Sequence, residues 1–345
     1  MDANPMGRAR RLSAAPALPV LIGLIAVIVL AVVVVVLLRG SDGDGTADRT
    51  TPVGTASPVG TGSVGGGGTS AVGGDVGTLV VLAHQGGNET YPLETLPALV
   101  AAAKSGAAVE TDVHWTADGV AVLVHDDRTT AASDADRDHP MVCSGGPYTV
   151  SKTRWSVLRD RCRTLASASK DGRRYPIPTF DEAMKAIAAI PGADVVPEMK
   201  PEHPSVQQID EYLGVVTTYD MEERTVVSSF FPPALAAFRA RAEEKQVSLR
   251  YLLMAPDRGK VRLTPKDLSG QHLWGVGLRS DIATRDQIAG VHAQHLVTVV
   301  WTVNTRQAWS AAEKAGADLV LTDRPDEYRS TRPAQGRPLT PAPGE

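Results

Sequence analysis

Aromatic residues make up only 5% of this 345-residue chain, and there are only two cysteines. Neither charge sign dominates: 35 Lys and Arg stand against 39 Asp and Glu, a formal net of -4. That balance excludes the basic footprint of a nucleic-acid binder. Scarce aromatics leave Ala, Val and Leu as the apolar stock, which suits packed helices and buried strands. No phosphate-cradling Gly-rich turn follows a strand-like run, beyond the short pair Gly86-Gly87. A doubly wound open sheet therefore lacks its usual signature and is the second choice of fold.

What is present begins with one apolar run. Arg8, Arg10 and Arg11 precede an uncharged stretch from Val20 to Leu38, closed by Arg39. Spanning a bilayer takes about 20 apolar residues. A cleavable signal peptide would carry a shorter apolar region of about 7–15 residues and a small-x-small site. This run ends in VVVVVLLRG with no Ala-x-Ala, and no cysteine follows it to take a lipid. The expectation is a single-pass signal anchor at 18–39 with residues 1–17 cytoplasmic. The following domain is then extracytoplasmic at the cell membrane, or secreted if the segment is cut. Residues 40–77 are rich in Gly, Ser and Thr, the composition of a flexible tether. Residues 331–345 are Pro-rich and expected to be disordered.

Between them, strand-like and helix-like runs alternate over 78–330. Eight strands are expected: Leu79–His84, Val109–Trp115, Val195–Met199, Thr225–Phe230, Leu249–Met254, Gly275–Arg279, Leu296–Asn304 and Asp318–Thr322. Helical patterns fall at Leu93–Ser105, Thr179–Ile190, Pro204–Tyr219, Pro233–Lys245, Thr284–Ala293 and Arg306–Ala315. Near-continuous apolar strands alternating with helices read as a (β/α)8 TIM barrel. An insertion after strand 2, about 127–175, interrupts the alternation and reads as a small cap over the barrel mouth. Asp118-Gly119 supplies the tight turn that folds His125 back toward the Glu110 strand. Cys143 and Cys162 both lie in the insertion. On an oxidising side of the membrane they are expected to pair, the alternative being two independent thiols.

The chemistry-bearing residues sit at the carboxyl ends of the first strands. They are His84 in VLAHQGG, Glu110 and Asp112 in AVETDVHW, His125 in AVLVHDD, and Glu198 with Lys200 in VVPEMK. Residues two apart on a strand share a face, so Glu110 and Asp112 point together, as do Glu198 and Lys200. Two inward carboxylates repel unless a cation lies between them. Three of them suit a hard divalent cation, Ca²⁺ or Mg²⁺, better than the zinc-like site that histidine ligands would make. His84 and His125 can move protons. Lys200 can meet a phosphate as a point charge. The set suits metal-assisted phosphodiester cleavage. The remaining histidines read as surface or scaffold, with His114 on the same face as Asp112. Trp301 in VVWTVN can wall the pocket or pack the core.

These segments resemble the glycerophosphodiester phosphodiesterase family, from about Leu79 to Tyr328. The parts that carry the resemblance are HxG at His84–Gly86, GAAVETDVHWTADGVAVLVHDD, PEMK, SSF at Ser228–Phe230, VVWTVN and GADLVLTDRP. The resemblance implies hydrolysis of glycerophosphodiesters to an alcohol and sn-glycerol 3-phosphate, with a divalent cation. It implies His84 and His125 as the acid–base pair, Glu110, Asp112 and Glu198 as metal ligands, and Lys200 on the phosphate. Two positions depart from the family pattern. His-Gln-Gly replaces His-Arg-Gly, and Pro92-Leu93-Glu94-Thr95 replaces Pro-Glu-Asn-Thr. A neutral Gln85 on the substrate would lose about 2–4 kcal/mol of transition-state stabilisation, and Glu94 would add negative charge near the cation. Two alternatives remain open: a lysophospholipase D or other lipid phosphodiesterase, and a barrel that binds a phosphorylated ligand without turnover.

Overall fold

The computed structural model describes residues 80–87, 89–255, 270–331 and 339. The expected signal anchor and tether lie outside the described residues. Among the described residues, no helix is long and apolar enough to cross a membrane.

Among the described residues there are eleven strands: β1 (Val80–Ala83), β2 (Ala108–Trp115), β3 (Ala121–Leu123), β4 (Met141–Cys143), β5 (Cys162–Thr164), β6 (Val195–Met199), β7 (Val226–Ser229), β8 (Arg250–Ala255), β9 (Gly275–Arg279), β10 (Val297–Trp301) and β11 (Leu319–Thr322). Eight of them run parallel in the order β1-β11-β10-β9-β8-β7-β6-β2, and the pairing of β2 with β1 closes the ring. This is the expected TIM barrel. The described helices are α1 (Leu96–Ser105), α2 (Trp155–Arg161), α3 (Phe180–Ala188), α4 (Val206–Thr218), α5 (Pro232–Glu244), α6 (Arg285–His292), α7 (Arg306–Ala315) and α8 (Pro325–Thr331).

The two faces of each barrel strand separate cleanly, as a two-residue period requires. Val81, Ala83, Val109, Val113, Val300 and Val320 pack outward in the core that includes helix residues such as Leu99, Phe180, Tyr212, Phe238 and Trp309. Leu82, Ala108, Val196, Val226, Leu252, Val299, Leu319 and Leu321 pack together inside the barrel. The inward phase carries forward along each strand. From Ala108 it reaches Glu110 and Asp112; from Val196 it reaches Glu198 and then Lys200; from Val226 it reaches Ser228. The polar residues are thus aimed inward by the same alternation that builds the apolar interior.

Helix starts follow local capping chemistry. At α3, Glu182 N donates to Thr179 Oγ1 (3.1 Å) while Thr179 N donates to Glu182 Oε2 (2.9 Å). Ser205 and Gln208 repeat this at α4. Helix α1 starts later than the expected Leu93, because Glu94 holds a positive φ of 57° and Pro97 occupies the first turn. Strand β10 also stops short of the expected Asn304, at Trp301.

Met141, Val150, Leu158 and Cys162 of the insertion pack with the flanking Val122, Val124 and Ile177 into a small second core. Strands β4 and β5 pair antiparallel with Cys143 opposite Cys162, and the two sulfurs form the expected disulfide. In the tail, Thr331 ends α8, and Leu339 is 5% exposed inside the barrel cluster. Leu339 N donates to Asp194 Oδ2 (2.7 Å), and its carbonyl accepts from Arg250. Asp194 precedes β6 and Arg250 opens β8, so Leu339 seats at the amino-terminal end of the barrel. An apolar side chain filling that end is why the expected disorder does not extend to it. The rest of the tail lies outside the described residues.

Candidate active site at the barrel mouth

A pocket opens at the carboxyl ends of the barrel strands, with about 620 Å³ of space continuous with solvent. His84, Glu110, His125, Glu198, Lys200 and Ser228 supply its polar lining, and Leu82, Val196, Phe230, Leu252, Met254 and Trp301 its apolar floor and wall. Phe230 and Trp301 meet edge to face at 5.2 Å. All but Asp112 and Gln85 of the expected site residues line this one pocket; Asp112 is bonded to the pocket-lining Lys200, and Gln85 lines a neighbouring pocket.

Glu110, Asp112 and Glu198 each offer a carboxylate oxygen, and these lie within 4.8 Å of one another. The strand register explains the meeting: Asp112 on β2 stands opposite Glu198 on β6. All three are buried. Burial, and then the charge of Asp112, push Glu110 up to about 7 and Glu198 up to about 8. Burial works the same way on Asp112, but Lys200 and His125 outweigh it and hold that carboxyl below its usual range. Lys200 Nζ lies 2.8 Å from Asp112 Oδ1 and 3.1 Å from Glu198 Oε1. One ammonium among three buried carboxylates leaves the cluster short of positive charge. Oxygen donors only, in a negative and dehydrated setting, fit a hard divalent cation.

The two histidines differ. His84 sits in a one-turn 3-10 segment, His84–Gly86, at the end of β1. Its Nδ1 is 2.6 Å from Asp323 Oδ1. Asn304 in turn donates to Asp323, and Asp323 N donates to Asn304 Oδ1 (2.8 Å). A carboxylate on Nδ1 fixes that nitrogen as a proton carrier, while Nε2 lies 3.4 Å from Gln85 Nε2 in the ring that lines the pocket. Burial alone would lower the His84 pKa. The hydrogen bond to Asp323 and the charges of Glu110, Asp323 and Asp112 outweigh it and raise the ring to about 9. His125 follows β3 and is exposed at the rim, with Nδ1 3.1 Å from Asp126 Oδ1. Lost hydration outweighs the pull of Asp112, and Lys200 adds to it, so its pKa falls below 6.5. His114 lies outside the pocket lining, with Nε2 3.2 Å from the His125 carbonyl oxygen.

Gln85 is 3% exposed and not in contact with the pocket. Its backbone N donates to Glu110 Oε2 (2.9 Å) and its Nε2 donates to Asp112 Oδ2 (2.9 Å). Its Nε2 also lies 3.4 Å from His84 Nε2, so the residue engages both the acidic cluster and the ring of His84. A left-handed backbone, φ 52°, turns the residue inward. Glu94 lies one layer behind. It accepts from Thr111 Oγ1 (2.5 Å) and Asp112 N (2.9 Å), and burial followed by the charges of Asp112 and Glu110 raises its pKa. Asp323, Asn304 and Ser228 complete the site without having been assigned to it from sequence. Asp323 and Asn304 lie within the motifs GADLVLTDRP and VVWTVN, which were the available signal.

Gly86 makes the turn possible. At φ 80°, a Cβ there would lie 2.8 Å from the backbone of Ala98 and Leu99 in α1. Gly86→Ala is expected to destabilise the protein by about 2 kcal/mol or more through strain and overpacking. It should also lower kcat by shifting His84. Unchanged thermal unfolding together with unchanged kcat would contradict this.

Among curated proteins, the chain is 23% identical over 261 residues to a glycerophosphodiester phosphodiesterase of Caldanaerobacter subterraneus, covering 72% of this chain and 95% of that one. Among solved structures, it superposes on an Oleispira antarctica phosphodiesterase in complex with the product sn-glycerol-3-phosphate. That match has TM-score 0.61 and 21% identity, over 74% of this chain and 96% of that one. A glycerophosphodiester phosphodiesterase from Parabacteroides distasonis gives TM-score 0.57 and 19% identity, over 74% and 97% of the two chains. At these identities the structural matches speak for the shared fold. The model of the glycerophosphoryl diester phosphodiesterase family matches residues 84–327, from the turn that carries His84 to the helix after Asp323, and the chain belongs to that family.

Proposed function

We propose that the barrel hydrolyses glycerophosphodiesters to an alcohol and sn-glycerol 3-phosphate. The observation that carries this reading is the pairing, in one pocket, of two histidines of opposite pKa tendency with a buried carboxylate triad. Glu110, Asp112 and Glu198 would hold the divalent cation, Ca²⁺ or Mg²⁺, which when bound offsets charge on the phosphate oxygens. Lys200, already at the rim of that triad, would contact a phosphate oxygen.

The proton roles follow from the ring environments. His125, held neutral by its low pKa, takes the proton from the substrate's adjacent glycerol hydroxyl as that oxygen bonds to phosphorus. His84, held protonated against Asp323, gives its proton to the leaving alcohol oxygen as the old P–O bond breaks. The product of this step is a cyclic phosphate with the alcohol released. In the second step the roles reverse. His84 accepts a proton from water as water's oxygen bonds to phosphorus, and His125 returns one to the departing glycerol oxygen. Both histidines then regain their starting states. Gln85 positions Glu110 and Asp112 rather than the substrate. Phe230 and Trp301 offer an apolar wall to the carbon skeleton.

We place the barrel on the extracytoplasmic side, held to the cell membrane by residues 18–39. The run of arginines before the apolar stretch supports that orientation, and the disulfide of the insertion supports an oxidising compartment. A second reading, a lysophospholipase D, draws on the apolar side of the pocket. Release of sn-glycerol 3-phosphate from glycerophosphocholine, with Ca²⁺, Mg²⁺ or EDTA, tests the first. Cation-dependent release is expected. Turnover of lysophosphatidylcholine with none of glycerophosphocholine would favour the second, and no turnover of either would sink both.

A further inference from the structure

The insertion separates its charges along the chain. Residues 151–175 carry eight cations (Lys152, Arg154, Arg159, Arg161, Arg163, Lys170, Arg173 and Arg174) against Asp160 and Asp171 alone, a net of +6. The rest of the chain has 27 cations and 37 carboxylates, a net of -10, so this short segment opposes the charge of the whole. Acidic residues of the insertion gather earlier, at Asp134, Asp136 and Asp138.

Elsewhere in the barrel some exposed cations find carboxylates, as Lys245 does with Asp210 and Arg324 with Glu327, while Lys104, Lys185, Arg285 and Lys314 have none within 4.0 Å among the described residues; what sets the insertion apart is the number of cations in one short segment. Of the eight in the insertion, only Arg159 has a carboxylate within 4.0 Å among the described residues, its chain neighbour Asp160. Seven are exposed and Arg163 is half-buried. So many like charges on one short exposed segment repel one another, and such a run suits a surface that meets a polyanion.

Its position indicates which polyanion. Lys170 N donates to the Thr90 carbonyl (3.0 Å), and the ring of Tyr175 meets that of Tyr91 edge-on at 6.1 Å. Thr90 and Tyr91 lie beside a neighbouring pocket lined by Gly86 and Gly87. The start of the segment is tied to the active-site rim itself: Ser151 N and Oγ donate to the Asp127 carboxylate (2.7 Å each), two residues past the pocket-lining His125. A flat array of phosphates approached at that rim would present phosphodiester to the site.

We propose that residues 151–175 form a docking face for an anionic phospholipid bilayer, and that docking turns the barrel mouth toward the lipid surface. The proposal rests on the reading of the domain as lying beside a membrane. Attraction of about 1 kcal/mol per cation near an anionic leaflet corresponds to about fivefold in affinity each.

The test uses residues 75–345. Relatives and solved structures sharing the fold are matched over 95–97% of their length by this barrel, so the fragment is expected to fold without residues 1–74, and thermal unfolding checks it. Flotation would be measured with vesicles of phosphatidylcholine alone and with phosphatidylglycerol added, at low and high salt. The variant carries Lys152→Glu, Arg154→Glu, Lys170→Glu and Arg173→Glu. Those side chains are exposed and make no hydrogen bond or ion pair among the described residues, so the fold should survive, as thermal unfolding will show. The expected result is salt-sensitive binding to the anionic vesicles only, weakened about 100-fold or more in the variant and retained when the same positions exchange Lys for Arg.

Hydrolysis of soluble glycerophosphocholine, measured alongside, should be the same in variant and parent. Loss of hydrolysis with vesicle binding intact would therefore strike the enzyme reading and leave this one standing. Equal binding to both vesicle types, or binding by the variant equal to the parent, would overturn the proposal. So would capture by soluble polyphosphate with no affinity for vesicles, which would assign the face to a polymer instead.

Discussion

Replacing His84 by alanine is expected to lower kcat about 10²–10⁴-fold and to lower stability below about pH 9, where the protonated ring pairs with Asp323. The ring is 22% exposed, and its loss leaves Asp323 still bonded to Asn304. His125→Ala should cost a similar factor, and the double variant little more than either alone, because the two groups serve one proton relay. The pH profile is the sharper test. His125 must be neutral to take a proton, and its folded pKa is lowered, so activity should fall on the acid side only below about 6.5. His84 must be protonated to give one, and its pKa is raised to about 9, so activity should fall as pH rises through that value. A bound cation offsets Glu110 and Asp112, two of the charges that raise His84, so the basic limb should move lower in the loaded enzyme. Asp323→Asn removes the hydrogen bond and a further charge, and should move that limb lower still. A basic limb that stays fixed in Asp323→Asn would mean that His84 is not the group titrating there.

Much of this site was legible because it is local in sequence. Glu110 and Asp112, and Glu198 and Lys200, are i, i+2 pairs whose shared face follows from strand periodicity alone. The barrel order followed from alternation, and α7 spans Arg306–Ala315 as its apolar spacing indicates. The parts that were not legible depend on ring closure. His84 and Asp323 are 239 residues apart and meet only because β1 pairs with β11. Asn304 was read as strand, but the strand ends at Trp301 and the released segment carries its side chain to Asp323. Gln85 illustrates a different barrier. Its residue type and its place in the motif suggested substrate, whereas a positive φ sends the amide down to Asp112. Backbone turns of that hand are not encoded by a side-chain pattern. Leu93 and Glu94 divide in the same way: the apolar residue is buried on the insertion side, and the carboxylate supports the backbone of Asp112.

Glu198→Gln is expected to abolish cation-dependent activity, a loss of about 10³-fold or more, and its thermodynamic signature should distinguish a ligand from a structural residue. Glu198 shares a buried cluster with Glu110 and Asp112, and burial, then the charge of Asp112, raises its pKa to about 8. Without a cation, removing one of three mutually repelling carboxylates relieves that repulsion, while Lys200 keeps Asp112 as its nearer partner at 2.8 Å. The cation-free variant should therefore unfold at a temperature no lower than the cation-free parent. Adding cation at about 100 times its Kd should stabilise the parent by about 2.7 kcal/mol, and the variant much less. Glu110→Gln should behave alike, with Gln85 N still supplied with an oxygen acceptor. Asp112→Asn should be worse for folding, because Asp112 accepts from both Lys200 and Gln85 and is the one carboxyl of the three held below its usual pKa. A Glu198→Gln protein that is destabilised without cation yet gains as much from cation as the parent would place the ion elsewhere and reduce Glu198 to a partner of Lys200.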